Sequence, residues 1–319
     1  MRNPLSKTIE QIKPSGIRKF FDIVSEMPHA ISLGVGEPDF DTPWHVRSEG
    51  IRSLEKGRTF YTSNSGLIEL RQEICKWYQR KYNVLYDYKT EALLTVGGSE
   101  GIDVALRAML DPGDEVIIPE PCYVSYVPCV QLIGAVPVTI ELKNENQFRL
   151  TSEELLAAIT DKTKILILAF PSNPTGAVMT KEDLEPIAKI CQEKDIYVIS
   201  DEIYSELTYG GQKHCSISSL PGMKERTIVI NGFSKAYAMT GWRLGYALAP
   251  EVIAHQMTKI HQFAIMCAPT TSQYAAIEAI KNGDADIEKM CKSYDQRRRF
   301  LLKKFEEIGL PCFEPHGAF

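Results

Sequence analysis

Lys235 closely follows the apolar run 227–231, and Arg243 stands eight residues further on. An amine placed at the end of a buried strand is desolvated, which lowers its pKa and suits it to Schiff-base chemistry with carbonyls. A guanidinium nearby suits bidentate binding of a phosphate. Three more apolar runs end in reactive side chains. After 92–96, Gly97-Gly98-Ser99-Glu100-Gly101 opens a helix and offers backbone N–H groups to an anion. After 165–170, Asn173 supplies an amide, and after 196–200, Asp201 and Tyr204 supply a carboxylate and a phenol. Each has an ordinary reading when taken singly. Lys235 is then a solvated amine, Arg243 an ion-pair partner, Ser99 a helix cap, Asp201 a cap or salt bridge, and Asn173 a turn residue. Tyr123 and Tyr204 are packing aromatics, and Tyr61 is a surface residue of a polar loop. Convergence is the argument, because open parallel sheets bind ligands beyond the carboxyl ends of their strands.

The elements that must position these residues follow a regular rhythm. Apolar runs at 92–96, 115–118, 136–140, 165–170, 196–200 and 227–231 are mostly separated by helical stretches at 99–110, 123–133, 152–159 and 181–194. This predicts an α/β fold with a largely parallel sheet covered on both faces. Ile165 to Phe170 lacks polar alternation, as a strand buried on both sides requires. Before the sheet, the pattern predicts an arm with a short helix over 16–26, a short strand from Ile31, and helices near 44–56 and 67–81. After 250 it turns helical, with a charged stretch over 284–307. The expected organisation is an arm and small-domain segment over 1–45, a large domain over 46–282, and the start of a small domain over 283–319.

Composition narrows the partners. The 319 residues hold 36 basic and 41 acidic side chains, a net charge of −5 that provides no field for a nucleic-acid backbone or anionic membrane. The eight cysteines include no C-x-x-C pair and the six histidines no H-E-x-x-H, so common zinc and thioredoxin motifs are absent. Met1 to Lys7 lacks an apolar signal core and no apolar run approaches ~18 residues, so a cytoplasmic protein with reduced thiols is expected.

The strand-end residues together resemble the class I/II aminotransferases, the pyridoxal-phosphate enzymes of fold type I, from about Ile31 to the last residue. The resemblance is carried by Gly36-Glu37-Pro38-Asp39-Phe40, Asn173-Pro174-Thr175-Gly176, Ser200-Asp201-Glu202-Ile203-Tyr204, and Ser234-Lys235 with Met239-Thr240-Gly241-Trp242-Arg243. Ser15-Gly16-Ile17-Arg18-Lys19-Phe20 and Ser205-Glu206-Leu207-Thr208-Tyr209 are most similar to the bacterial aminotransferase A branch.

The resemblance implies transfer of an amino group from an amino acid to a 2-oxo acid, with pyridoxal 5'-phosphate held on Lys235 as an internal aldimine. It implies that Asp201 pairs with the ring nitrogen, that Asn173 and Tyr204 bind the ring hydroxyl, and that Tyr123 stacks on the ring. Ser99, the backbone N–H of Glu100, Ser234 and Arg243 would hold the phosphate. Tyr61 would reach the phosphate of a neighbouring subunit in a homodimer, and Gly36 would face the substrate carboxylate. A C–S β-lyase or a non-catalytic cofactor-binding module would use the same pocket. Three departures are visible. Gly232 replaces a hydroxyl that many relatives carry, and Ser99 stands where aspartate-specific relatives carry lysine. The sequence also breaks off at Gly317-Ala318-Phe319, where relatives continue to an arginine that clamps the substrate; the expectation is a fragment.

Overall fold

The computed structural model describes residues 2–13, 23, 26, 27, 29 and 36–318. The helix expected over 16–26 and the strand expected from Ile31 lie outside the described residues. Seven strands form one sheet: β1 (Ala92–Thr95), β2 (Glu115–Glu120), β3 (Val136–Glu141), β4 (Thr163–Ala169), β5 (Tyr197–Asp201), β6 (Thr227–Gly232) and β7 (Gly245–Leu248). Their order is β1-β7-β6-β5-β4-β2-β3. Neighbours from β6 to β3 pair in parallel, while β7 is antiparallel to both β1 and β6. Two reversals restore the direction of β1, so the carboxyl ends of all strands except β7 lie along one edge.

The helices are α1 (Lys7–Gln11), α2 (Trp44–Glu55), α3 (Ile68–Tyr82), α4 (Gly97–Met109), α5 (Tyr126–Leu132), α6 (Ser152–Ala158), α7 (Lys181–Glu193), α8 (Glu251–Ala264), α9 (Thr270–Asn282) and α10 (Asp284–Glu307). Local chemistry starts several of them. Thr151 with Glu154 and Thr180 with Asp183 form capping boxes at α6 and α7, each cap contributing about 1 kcal/mol. Asn83 closes α3 in the left-handed region at φ 57°.

Alternation along each strand sends neighbouring side chains to opposite faces. Leu94, Val229 and Leu248 pack with Leu70, Ile74 and Tyr78 of α3 and Ala275 and Ala279 of α9. On the opposite face Leu93, Ile228, Ile230, Ile199 and Ile167 pack with Ile102 and Leu106 of α4, Val130 of α5 and Met257 of α8. Further along, Leu166, Leu168 and Val198 meet Leu155 of α6 and Ile187 of α7. Both faces are thus covered and apolar, which explains why β4 carries no polar alternation.

The antiparallel β7 is the one strand that the rhythm of the sequence does not reveal. It is four residues long and follows β6 without an intervening α-helix, so neither length nor spacing marks it. No helix among the described residues is long and apolar enough to cross a membrane.

Candidate active site

The carboxyl-terminal edge of the sheet gathers the residues from four strand ends. β6 ends at Gly232 and hands over to Ser234 and Lys235, with Ser234 only 7% exposed. The Lys235 amine donates to the Gly36 carbonyl at 2.6 Å and lies 5.7 Å from the Tyr204 ring centre. Burial pushes its pKa below the ordinary lysine value; Glu37 opposes that shift and Arg243 adds to it. The amine is therefore more readily free of its proton than a surface lysine.

Arg243 faces the start of α4. Its Nη1 donates to the Thr240 carbonyl at 3.0 Å, and among the described residues no carboxylate pairs with it. A Cβ built on Gly97, whose φ is +75°, would lie 2.6 Å from Arg243 Nη2. Only glycine lets the guanidinium sit this close to the backbone that opens α4. Ser99 is exposed in the first turn of that helix, where N–H groups have no intrahelical acceptor. Cationic and N–H donors thus share one small region. Gly232 also gains a reason: a Cβ there would meet Gly245 Cα at 2.9 Å and the Leu244 carbonyl at 3.0 Å. With β7 packed this tightly against β6, the backbone has no room for a side chain bearing a hydroxyl.

Asp201 closes β5 and is 8% exposed. Its Oδ2 accepts the Tyr126 hydroxyl at 2.8 Å and its Oδ1 the Ile203 N–H at 3.2 Å. Burial raises its pKa, the two hydrogen bonds pull it back, and Glu202 adds a smaller upward push. Asn173 hydrogen-bonds the Tyr204 side chain, whose phenol burial holds above its usual pKa. Tyr123 is half-buried, with its ring edge-on to Tyr126 at 5.7 Å.

Tyr61 stands apart from this group. Its side chain is 82% exposed, on a loop held to the start of α9 and the turn before it by Thr270 on the Phe60 carbonyl at 2.8 Å and Asn64 on the Met266 carbonyl at 2.8 Å. Glu100 does more than offer a backbone N–H: its side chain binds Val96 N–H and His261. Sequence reasoning missed Tyr126, His261 and the hydroxyl network around Glu202. Tyr126 lies three residues from Tyr123, but Tyr123 falls before α5 begins, so the spacing carried no helical signal. His261 carried none.

The description "Aminotransferase class I and II" matches residues 28–319 as a family model. The chain is 52% identical over 319 residues to "Putative aminotransferase YugH" of Bacillus subtilis (strain 168), covering 100% of this chain and 82% of that one. It is 45% identical over 317 residues to an aspartate aminotransferase of Pyrococcus abyssi, covering 99% of this chain and 82% of that one. Among solved structures, an aspartate aminotransferase from Thermus thermophilus with maleate superposes with a TM-score of 0.95 at 37% identity, covering 100% of this chain and 84% of that chain.

Proposed function

Because the chain belongs to the class I and II aminotransferases, enzymes that depend on pyridoxal phosphate, we propose that it moves an amino group from an amino acid to a 2-oxo acid at the site around Lys235. The bound cofactor supplies an aldehyde carbon that exchanges amines and a protonated ring that draws electrons from the substrate Cα. Three features of the chain suit it: an arginine and helix N–H groups that meet no carboxylate among the described residues, a buried carboxylate with acceptor capacity to spare, and a desolvated amine.

In this reading Lys235 would hold the cofactor through its aldehyde carbon, water leaving as the bond forms. Its amine, once free, would take up and return the proton at the substrate Cα. Its depressed pKa suits both tasks, since each needs the unprotonated form near neutral pH. Asp201 holds a proton on the ring nitrogen by charge pairing in a site that burial makes electrostatically strong. Asn173 and Tyr204 would hold the ring hydroxyl, and Tyr123 would cover the ring and exclude water. Ser99, the Glu100 N–H, Ser234 and Arg243 hold the phosphate, while Gly36 offers its backbone to the substrate carboxylate. Tyr61, exposed on its own chain, reaches the phosphate of a second copy, so the reading includes a homodimer with shared sites.

The observation that carries the reading is the segment after β6. It places a desolvated amine beside the Gly36 carbonyl and the Tyr204 ring, and sets an arginine that pairs with no carboxylate among the described residues against the glycine backbone that opens α4. Borohydride reduction of the cofactor-loaded protein, then peptide mapping, is expected to find the pyridoxyl group on Lys235. Label on another lysine would overturn the assignment. A panel of amino acids, each scored by the accumulation of its 2-oxo acid and of aminated cofactor, then identifies the donor. For the shared site, Tyr61→Ala and Lys235→Ala subunits are mixed and allowed to exchange. Hybrids hold one site with both residues, so activity should exceed that of either parent; no gain despite exchange places Tyr61 outside the partner's site.

A further inference from the structure

His261 lies on α8 with no exposed surface. Its Nδ1 is 2.6 Å from Glu100 Oε1, across 161 residues of sequence. Glu100 Oε2 in turn accepts the N–H of Val96 at 2.5 Å. A carboxylate accepts and does not donate, so Nδ1 carries the proton of the first contact. Nε2 has no hydrogen-bond partner among the described residues. Burying that nitrogen costs free energy that an apolar side chain on the same helix face would avoid. The one contact that offsets the cost leads to the first turn of α4.

That turn needs holding. Val96, the residue before the helix, has φ −78° and ψ 71°, and Gly97 follows at φ +75°. Two successive non-helical residues decide where the free N–H groups of Gly98, Ser99 and Glu100 point. A glutamate in a first turn has several rotamers available, and each is favourable to the helix dipole. The one observed reaches back to Val96 with one oxygen and meets His261 with the other.

We propose that His261 is a positioning residue for the phosphate cup: through Glu100 it fixes the Val96–Gly98 turn so that the α4 N–H groups are preset for the cofactor's phosphate. The inference rests on reading residues 97–100 and Arg243 as that cup. It separates His261 from a residue that merely fills the core, because its loss should be felt by the phosphate and not by the ring.

The test titrates cofactor-free protein with pyridoxal 5'-phosphate and, separately, with pyridoxal, following absorbance. The unsubstituted protein should prefer the phosphorylated form, and Arg243→Gln should lose most of that preference. If either expectation fails, the cup itself is misplaced and the role of His261 falls with it. Given a valid cup, His261→Leu should weaken pyridoxal 5'-phosphate binding about tenfold or more, as expected for losing a buried charge-assisted contact. Pyridoxal binding should change less than about threefold. His261→Asn, which sets an amide nitrogen near the place of Nδ1, should recover part of the loss. Equal weakening of both ligands, or of neither, overturns the proposal. Should His261→Leu not fold, Glu100→Ala must show the same selective loss, and unchanged selectivity there overturns it equally.

Discussion

Asp201 and Glu202 are consecutive buried acids, yet their surroundings differ. Asp201 faces α5 and uses two acceptor positions, one for the Tyr126 hydroxyl and one for the Ile203 N–H. Glu202, with no exposed surface, faces α3 and accepts from Ser200 Oγ at 3.0 Å, Ser216 Oγ at 2.6 Å and the Tyr78 hydroxyl at 3.0 Å, with His214 Nε2 at 3.4 Å. A carboxylate offers about four acceptor positions. Three of those of Glu202 are taken and the His214 ring lies beside the remaining one, whereas about two remain on Asp201. A saturated acid is a joint, and an unsaturated one is a receptor for a cation. Here Glu202 ties β5, α3 and the loop at 214–218, and Asp201 keeps acceptor positions open for the role proposed above.

The largest effect that could break this contrast comes from substituting each acid. Asp201→Ala should fold with little loss of melting temperature but slow substrate Cα deprotonation by on the order of 10²-fold or more. Glu202→Ala should do the opposite. Chemical denaturation should show about 3 kcal/mol lost, while the half-reaction rate per folded molecule stays within a few-fold. If Glu202→Ala slows the chemistry as much as Asp201→Ala, the distinction by acceptor saturation is wrong.

A smaller effect sharpens the contrast at the surface. Glu278 and Asp286 hold His45 at 2.7 and 2.8 Å, joining α2 to α9 and α10. Partial burial works against the charged ring, but hydrogen bonds and charge from both acids outweigh it and raise its pKa above the ordinary 6.5. The folded state therefore holds this proton more tightly than the unfolded chain. The resulting stability is complete below pH 6.5 and is lost as pH rises through the raised value. Because the ring is about one-third exposed, the contribution is under about 1 kcal/mol. His45→Gln should accordingly flatten the melting temperature against pH from 6.5 upward and change little else. An unaltered slope would assign that pH dependence to other groups.

Much of the fold was legible because strands and helices announce themselves locally. The runs at 115–118 and 165–170 became Glu115–Glu120 and Thr163–Ala169, and the stretch at 181–194 became Lys181–Glu193. The helix expected from 123 begins instead at Tyr126, after a cis Glu120-Pro121 bond and an irregular turn. At the site, Asn173, Asp201, Tyr204, Lys235 and Arg243 were legible because each follows an apolar run. Tyr126 was not, since a tyrosine bonding a carboxylate 75 positions away looks like any packing aromatic.

The sequence by itself determined the order of the elements and the chemical groups at the strand ends. Apolar periodicity and the Gly, Asn and Pro positions that interrupt it act over a few residues and need no distant partner. Tertiary structure alone decided which of two adjacent acids keeps acceptor positions open. It also decided that β7 enters antiparallel, bringing Gly245 to where a Cβ would lie 2.6 Å from the Gly97 carbonyl carbon, and that His261 reaches Glu100. The physical reason is common to all three. Strand alternation sets which face a side chain takes, but what meets it there depends on how helices far away in sequence pack onto that face.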